Sequence, residues 1–141
     1  MSLITAIDIN SSGLTAQRRR VEVASSNLSN SETTRTPDGG AYRRKDVVFQ
    51  TMPFGNSFAA AMGGGAEGVE VSEVVEDPRP FDRRFEPQHP DADGEGYVNY
   101  PNVNAMEEMA NLMSASRSYE ANIAAINIVK TMINRTLEIG K

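Results

Sequence analysis

The sequence has no cysteine, no tryptophan, one histidine, and only five Phe and four Tyr among its 141 residues. Each gap removes a class of structure or function. Without cysteine there is no thiol nucleophile, no thiolate metal site and no disulfide staple. With His89 alone, a metal site built on two histidines cannot form within one chain. Aromatic residues at 6% give few large anchors for a compact core. Basic residues are outnumbered, 14 Lys plus Arg against 19 Asp plus Glu, so there is no general electrostatic pull toward nucleic acid or acidic lipid. No apolar run approaches the roughly 20 residues of a membrane span. Met1 to Asn10 carries Asp8 and lacks a basic start with an apolar stretch behind it, so it is not expected to act as a secretory signal peptide.

What is present is organised at the two ends. From Leu3 to Leu28 the residues Ile7, Leu14, Val21 and Leu28 recur every seven positions, with Ile4 and Ala24 beside them, which predicts an amphipathic helix with a narrow apolar seam. Gly13 and two Ser clusters weaken its intrinsic helicity, so packing must supply much of its stability. Ser31 to Gly40, rich in Ser, Thr, Pro and Gly, ends the pattern. At the other end, Asn104 can cap a helix while Glu107 reaches back, and Ala105 to Ile139 contains neither Pro nor Gly before a stop at Gly140. Its main seam is Met109, Leu112, Ser116, Tyr119, Ile123, Ile126, Lys130, Ile133 and Leu137, a heptad with two polar interruptions. A second stripe, Ala121, Ala124, Ala125, Ile128 and Met132, lies on a different face.

All seven prolines fall between residues 37 and 101, which forbids long helices there. Tyr42 to Phe49, Val69 to Val75 and Gly96 to Tyr100 read as strands, and Ser57 to Gly68, dominated by Ala and Gly, as a loop or hairpin tip. The fold class is therefore α+β: long N- and C-terminal helices forming a coiled-coil-like layer, with a small β-rich middle domain. The divisions are residues 1–34, 35–103 and 104–141. Pairing the terminal helices buries one face of each and leaves the second stripe open, a pattern that calls for assembly with other subunits. The alternative is that the middle domain folds back over that stripe.

Candidate chemistry is sparse. His89, in a Pro-rich loop, has no nucleophile motif nearby to serve as a base, although a hydrolase pairing it with Asp91 or Asp93 is a distant rival. Asp91, Asp93, Glu95, Gly96 and Asn99 imitate the opening of a calcium loop, yet Asn102 stands where a bidentate Glu is needed and Pro90 precedes the frame. The rival this leaves is a two-helix adaptor with a calcium- or peptide-binding acidic turn. Arg18, Arg19 and Arg20 point around more than half a helix circumference and suit carboxylate partners such as Glu107, Glu108, Glu120 or Glu138 better than aligned phosphates. Gly63 to Gly65 is not followed by the Gly-Lys-Ser/Thr of a phosphate loop. No catalytic, cofactor-binding or metal-binding residue emerges.

Ser25-Ser26-Asn27-Leu28-Ser29-Asn30, followed by Thr33 and Thr34, resembles the Asn-Leu-Ala-Asn signature that closes the first helix of bacterial flagellar rod and hook proteins, with Ser29 in place of the usual Ala. Gly39 to Lys45, Asp77-Pro78, Pro80-Phe81, His89 to Asp93 and Gly96 to Val98 are similar to the proximal-rod FlgC type. So are Pro101-Asn102-Val103-Asn104 and the stretch Ser114 to Asn122 with Tyr119 and Glu120. The resemblance implies a structural, non-enzymatic axial protein of the basal body, whose terminal helices form the inner layer of the periplasmic rod. It further implies type III export without a cleaved signal peptide and a role in motility through torque transmission. Implied partners are like subunits and other proximal and distal rod proteins, with the membrane ring and export gate near the base, and neither nucleic acid nor a small-molecule substrate. Ile126→Asp or Ile133→Asp is expected to block assembly.

Overall fold

The computed structural model describes residues 3–54 and 66–139. Helix α1 spans Leu3–Ser29, strands β1 Lys45–Phe54 and β2 Ala66–Glu76 pair antiparallel, strands β3 Asp82–Phe85 and β4 Tyr97–Tyr100 form a second antiparallel pair, and helix α2 spans Ala105–Ile139. This is the expected α+β arrangement of two long terminal helices around a small β region.

The helix limits follow from side chains that satisfy free backbone groups. Asn104 Oδ1 accepts from the N–H of Met106 at 3.0 Å and of Glu107 at 3.4 Å, which starts α2 at Ala105. Asn30 Nδ2 donates to Ser26 O at 2.8 Å, and Ser31 Oγ donates to Leu28 O at 2.8 Å, which closes α1. The Gly140 stop and residues 57–65 of the Ala/Gly segment lie outside the described residues. Ala66 to Gly68, expected in a loop, belong instead to β2.

The two helices run antiparallel. Gly13 faces the Asn122 side chain, Arg20 Nη2 donates to Asn111 Oδ1 at 3.4 Å, and Asn27 donates to Glu108. A Cβ on Gly13 would lie 2.9 Å from Asn122 Nδ2, so the glycine permits the helices to approach. Followed back from Gly13, the same register brings Leu3 opposite Met132, so the last turns of α2 run past the described start of α1.

The β1–β2 pair lies along α1 rather than along α2. Ser12 Oγ accepts from Val69 N–H at 3.1 Å near one end, and Asn27 holds Lys45 at the other. From Ser12 to Asn27 the helix rises about 22 Å, and from Val69 to Glu76, the partner of Lys45, a strand covers about 23 Å. The matched lengths let the strands follow α1 without a break. Gly68 fits between Ser12 and the Phe54 ring, where a side chain has no room. A bulge between Val48 and Phe49 adjusts the register. Among the described residues, the middle region therefore covers α1 and leaves Ala121, Ala124, Ile128 and Met132 of the second α2 stripe exposed, with Ala125 half-buried.

The β3–β4 pair sits at the end where α1 stops and α2 begins. Val98 is fully buried there. Arg83 stacks on Tyr97, Arg84 on Tyr100 and Arg43 on Phe81, with guanidinium-to-ring distances of 4.8, 4.4 and 4.3 Å. Strand β3 was not expected from the sequence.

Candidate functional site

Four segments distant in sequence meet at the end of α1. Asn27 is 1% exposed and its amide is fully engaged. Nδ2 donates to Lys45 O at 2.8 Å and to Glu108 Oε2 at 3.1 Å, while Oδ1 accepts from Lys45 N–H and from the Tyr42 hydroxyl, both at 3.0 Å. Glu108, also 1% exposed, accepts at Oε1 from Arg44 Nε at 2.7 Å. A buried carboxylate without a partner would be strongly destabilising, and Arg44 and Asn27 together supply its donors.

Arg44 extends the junction to Asp46 at 3.0 Å and Asp77 at 3.5 Å. Burial pulls its pKa down, but the hydrogen bonds to Glu108 and Asp46 outweigh this and hold it above the ordinary arginine value. The side-chain and backbone hydrogen bonds of Arg79 draw the Asp77 carboxyl down to about 2. Asn102 completes the knot: Oδ1 accepts from Arg44 N–H at 2.9 Å, and Nδ2 donates to the carbonyls of Asp77 and Arg79 at 3.3 and 3.1 Å. The junction fixes the angle at which both helices leave the β region.

Beyond the junction, α2 presents two faces. Glu108, Leu112, Ala115, Tyr119, Asn122, Ile126, Val129 and Ile133 are buried or half-buried at alternating spacings of four and three. On the opposite side Met106, Ala110, Met113, Ala121, Ala124, Ile128 and Met132 are exposed, with Met106 at 75% and Ile128 at 61%. Arg117 and, one turn beyond Met132, Arg135 are the charged side chains within the angular span of this row, on a helix of 100° per residue.

The residues singled out from sequence fall into three groups. Ile7, Leu14, Val21 and Leu28 of α1 and Leu112, Tyr119, Ile126 and Ile133 of α2 are half-buried within the chain. Met109, Ile123 and Leu137 are exposed. The covered seam of α2 is thus turned by one residue at alternate positions relative to the hydropathy repeat, with Glu108, Asn122 and Val129 inward in place of Met109, Ile123 and Lys130, and Ala115 buried beside a half-buried Ser116. The signature residues are mostly structural within the chain: Asn27 and Asn102 bind the junction, Asn30 and Asn104 end and begin helices, Pro101 is buried, and Glu120 is exposed.

His89, Asp91 and Asp93 are held by partners within the chain. His89 Nδ1 accepts from Asp91 N–H at 3.1 Å. Asp91 accepts from the Thr34 hydroxyl at 2.8 Å, and Asp93 accepts from Glu95 N–H, Tyr97 N–H and Arg83, each at 2.9 Å. The Asp93 carboxylate thus staples a turn, and the Asp91 carboxylate ties that turn to Thr34. Arg18 and Arg19 pair with Glu22 on their own helix, whereas Glu108 is taken by Arg44. Sequence reasoning missed the roles of Tyr42, Arg44 and Lys45, whose partners are distant in sequence. It also missed Met106 and Met113, although their spacing of seven carried a usable signal.

A family profile described as "Flagella basal body rod protein" matches residues 7–35, and one described as "Flagellar basal body rod FlgEFG protein C-terminal" matches residues 95–139. The chain is 46% identical to the flagellar basal-body rod protein FlgC of Escherichia coli O6:H1 over 100% of both chains. It is 46% identical to that of Salmonella typhimurium and 42% identical to that of Bacillus subtilis, again over 100% of both chains. With 42–46% identity to these proteins over the full length, the chain belongs to the FlgC family of flagellar basal-body rod proteins.

Proposed function

We propose that the chain works in the proximal rod by packing alone: its helices interlock with those of neighbouring subunits, and motor torque passes along the rod through the shared contacts. The observation that carries this reading is the exposed row from Met106 to Met132, opposite the face that α1 already covers. Covering one large apolar side chain contributes about 1.5–3 kcal/mol, so several in a row supply a substantial drive to associate. The alanines allow close helix approach, and the methionines adapt to neighbours of different shape.

The partners in this reading are like subunits and the other proximal and distal rod proteins, with the membrane ring and export gate at the rod base. The chain acts in the periplasmic part of the basal body, reaches it through the flagellar type III apparatus without losing a signal peptide, and catalyses no reaction. The three segments 1–34, 35–103 and 104–141 serve as inner helix, outer β region and inner helix. No observation favours a calcium- or peptide-binding adaptor, since Asp91 and Asp93 are already engaged by donors of the chain itself.

Deleting the chain from its own cell and restoring it with a tag tests the reading. The tagged copy is expected to restore rods and swimming and to recover other rod subunits when isolated. A folded copy that does neither contradicts the proposal.

A further inference from the structure

We propose that the methionine row of α2 is an oxidation site, and that its conversion to sulfoxide closes the free chain to assembly until a reductant restores it. This inference rests on the reading of that face as a surface covered by rod subunits. Five methionines lie among the described residues, and four of them, Met106, Met109, Met113 and Met132, are on α2 and between 48% and 75% exposed. Met52 on β1 is half-buried. Met106, Met109 and Met113 follow one another at spacings of three and four, so they share a side of the first turns of α2. Ala110, exposed between them, leaves the thioethers unshielded by any larger side chain of that row.

Exposed thioethers react with peroxides, and reactivity follows access. The sulfur lone pair attacks one peroxide oxygen, the O–O bond breaks, and an S–O bond forms. Sulfur loses two electrons, and hydrogen peroxide is reduced to water. The reverse step takes two thiols of a sulfoxide reductase system, which become a disulfide while the oxygen leaves as water. The product side chain is polar, so three sulfoxides on one side of α2 replace an apolar contact surface with one that must be desolvated. The fold itself survives, because none of the four α2 methionines lies in the seam against α1 or at the junction. The vulnerable interval is the one before incorporation.

The test compares hydrogen peroxide treatment of the purified full-length chain with treatment of isolated basal bodies, read by peptide mass mapping. In the free chain, Met106, Met109 and Met113 are expected to gain oxygen several-fold faster than Met52, with helical circular dichroism unchanged, and in basal bodies this preference should be lost. Treated chain should fail to bind tagged rod subunits and recover after sulfoxide reductase, while a Met106→Leu, Met109→Leu, Met113→Leu variant binds with or without peroxide. Equal rates for Met52 and the row in the free chain, or full binding by treated chain, would overturn the oxidation inference and leave the packing reading intact. Preferential oxidation persisting unchanged in basal bodies would overturn the packing reading, and this inference with it.

Discussion

Asn27, near the end of α1, donates directly to Glu108 in the first turn of α2, across 81 positions of sequence, and both side chains are 1% exposed. The contact locks the end of one helix to the start of the other, and the remaining groups of the Asn27 amide bind the first residue of β1. A single side chain therefore orients three elements. In a subunit whose helices must meet neighbours at set angles, such a junction converts local hydrogen bonding into assembly geometry.

Removing this contact should loosen the whole molecule. Asn27→Ala leaves the Lys45 backbone groups and Glu108 short of partners, an expected loss of about 2–4 kcal/mol. Asn27→Asp keeps the acceptor for Lys45 N–H but sets a carboxylate against Glu108, so it should be no more stable at neutral pH. Urea unfolding followed by circular dichroism reads both, and wild-type midpoints for the pair would show that the junction does not hold the helices.

Acid should open the junction from its Asp77 side. The folded pKa of Asp77 is lowered from 3.8 to about 2, mainly by hydrogen bonds from the side chain and backbone of Arg79. A lowered carboxyl pKa means that the unfolded chain binds the proton more readily, so the contribution is complete above the unfolded value and fades as pH falls toward about 2. Asp77→Asn should be less stable than wild type at neutral pH, and the gap should close across that window. A gap independent of pH would contradict the assignment.

Gly13 tests the helix contact. A Cβ there meets only the end of the Asn122 side chain, so Gly13→Ala trades a gain in helix propensity against a small displacement and should be nearly neutral. Combined with Asn122→Ala, which clears the space, the gain of about 1 kcal/mol should appear in full. Thermal unfolding of the two variants decides it, and a strong loss in the double variant would mean that the helices are not in this register.

Much of the architecture was legible because its signals are local. Asn104 and the Pro- and Gly-free run behind it define α2, and the Ser- and Pro-rich segment after Asn30 defines the end of α1. Strand β3 was not legible: Asp82-Arg83-Arg84-Phe85 has no apolar alternation, and it is held by Arg83 and Arg84 stacking on tyrosines of β4. The phase of the α2 seam was also hidden. Hydropathy favours Met109 and Ile123, whereas the covered positions include buried Glu108 and half-buried Asn122, which face inward because Arg44 and Asn27 supply the donors that Glu108 needs and because Gly13 gives Asn122 room. Long-range polar pairing leaves no periodic trace.

Ile126 and Ile133 are half-buried, so substituting them disturbs the chain's own helix pair as well as any interface. Ile128 separates the two effects, since it is exposed on the outer row. The most direct measurement is therefore swimming and rod incorporation of Ile128→Asp, with circular dichroism and unfolding of the same purified chain alongside. The expected result is wild-type helicity and stability with loss of incorporation and of swimming. A folded Ile128→Asp chain that enters rods and supports normal swimming would contradict it.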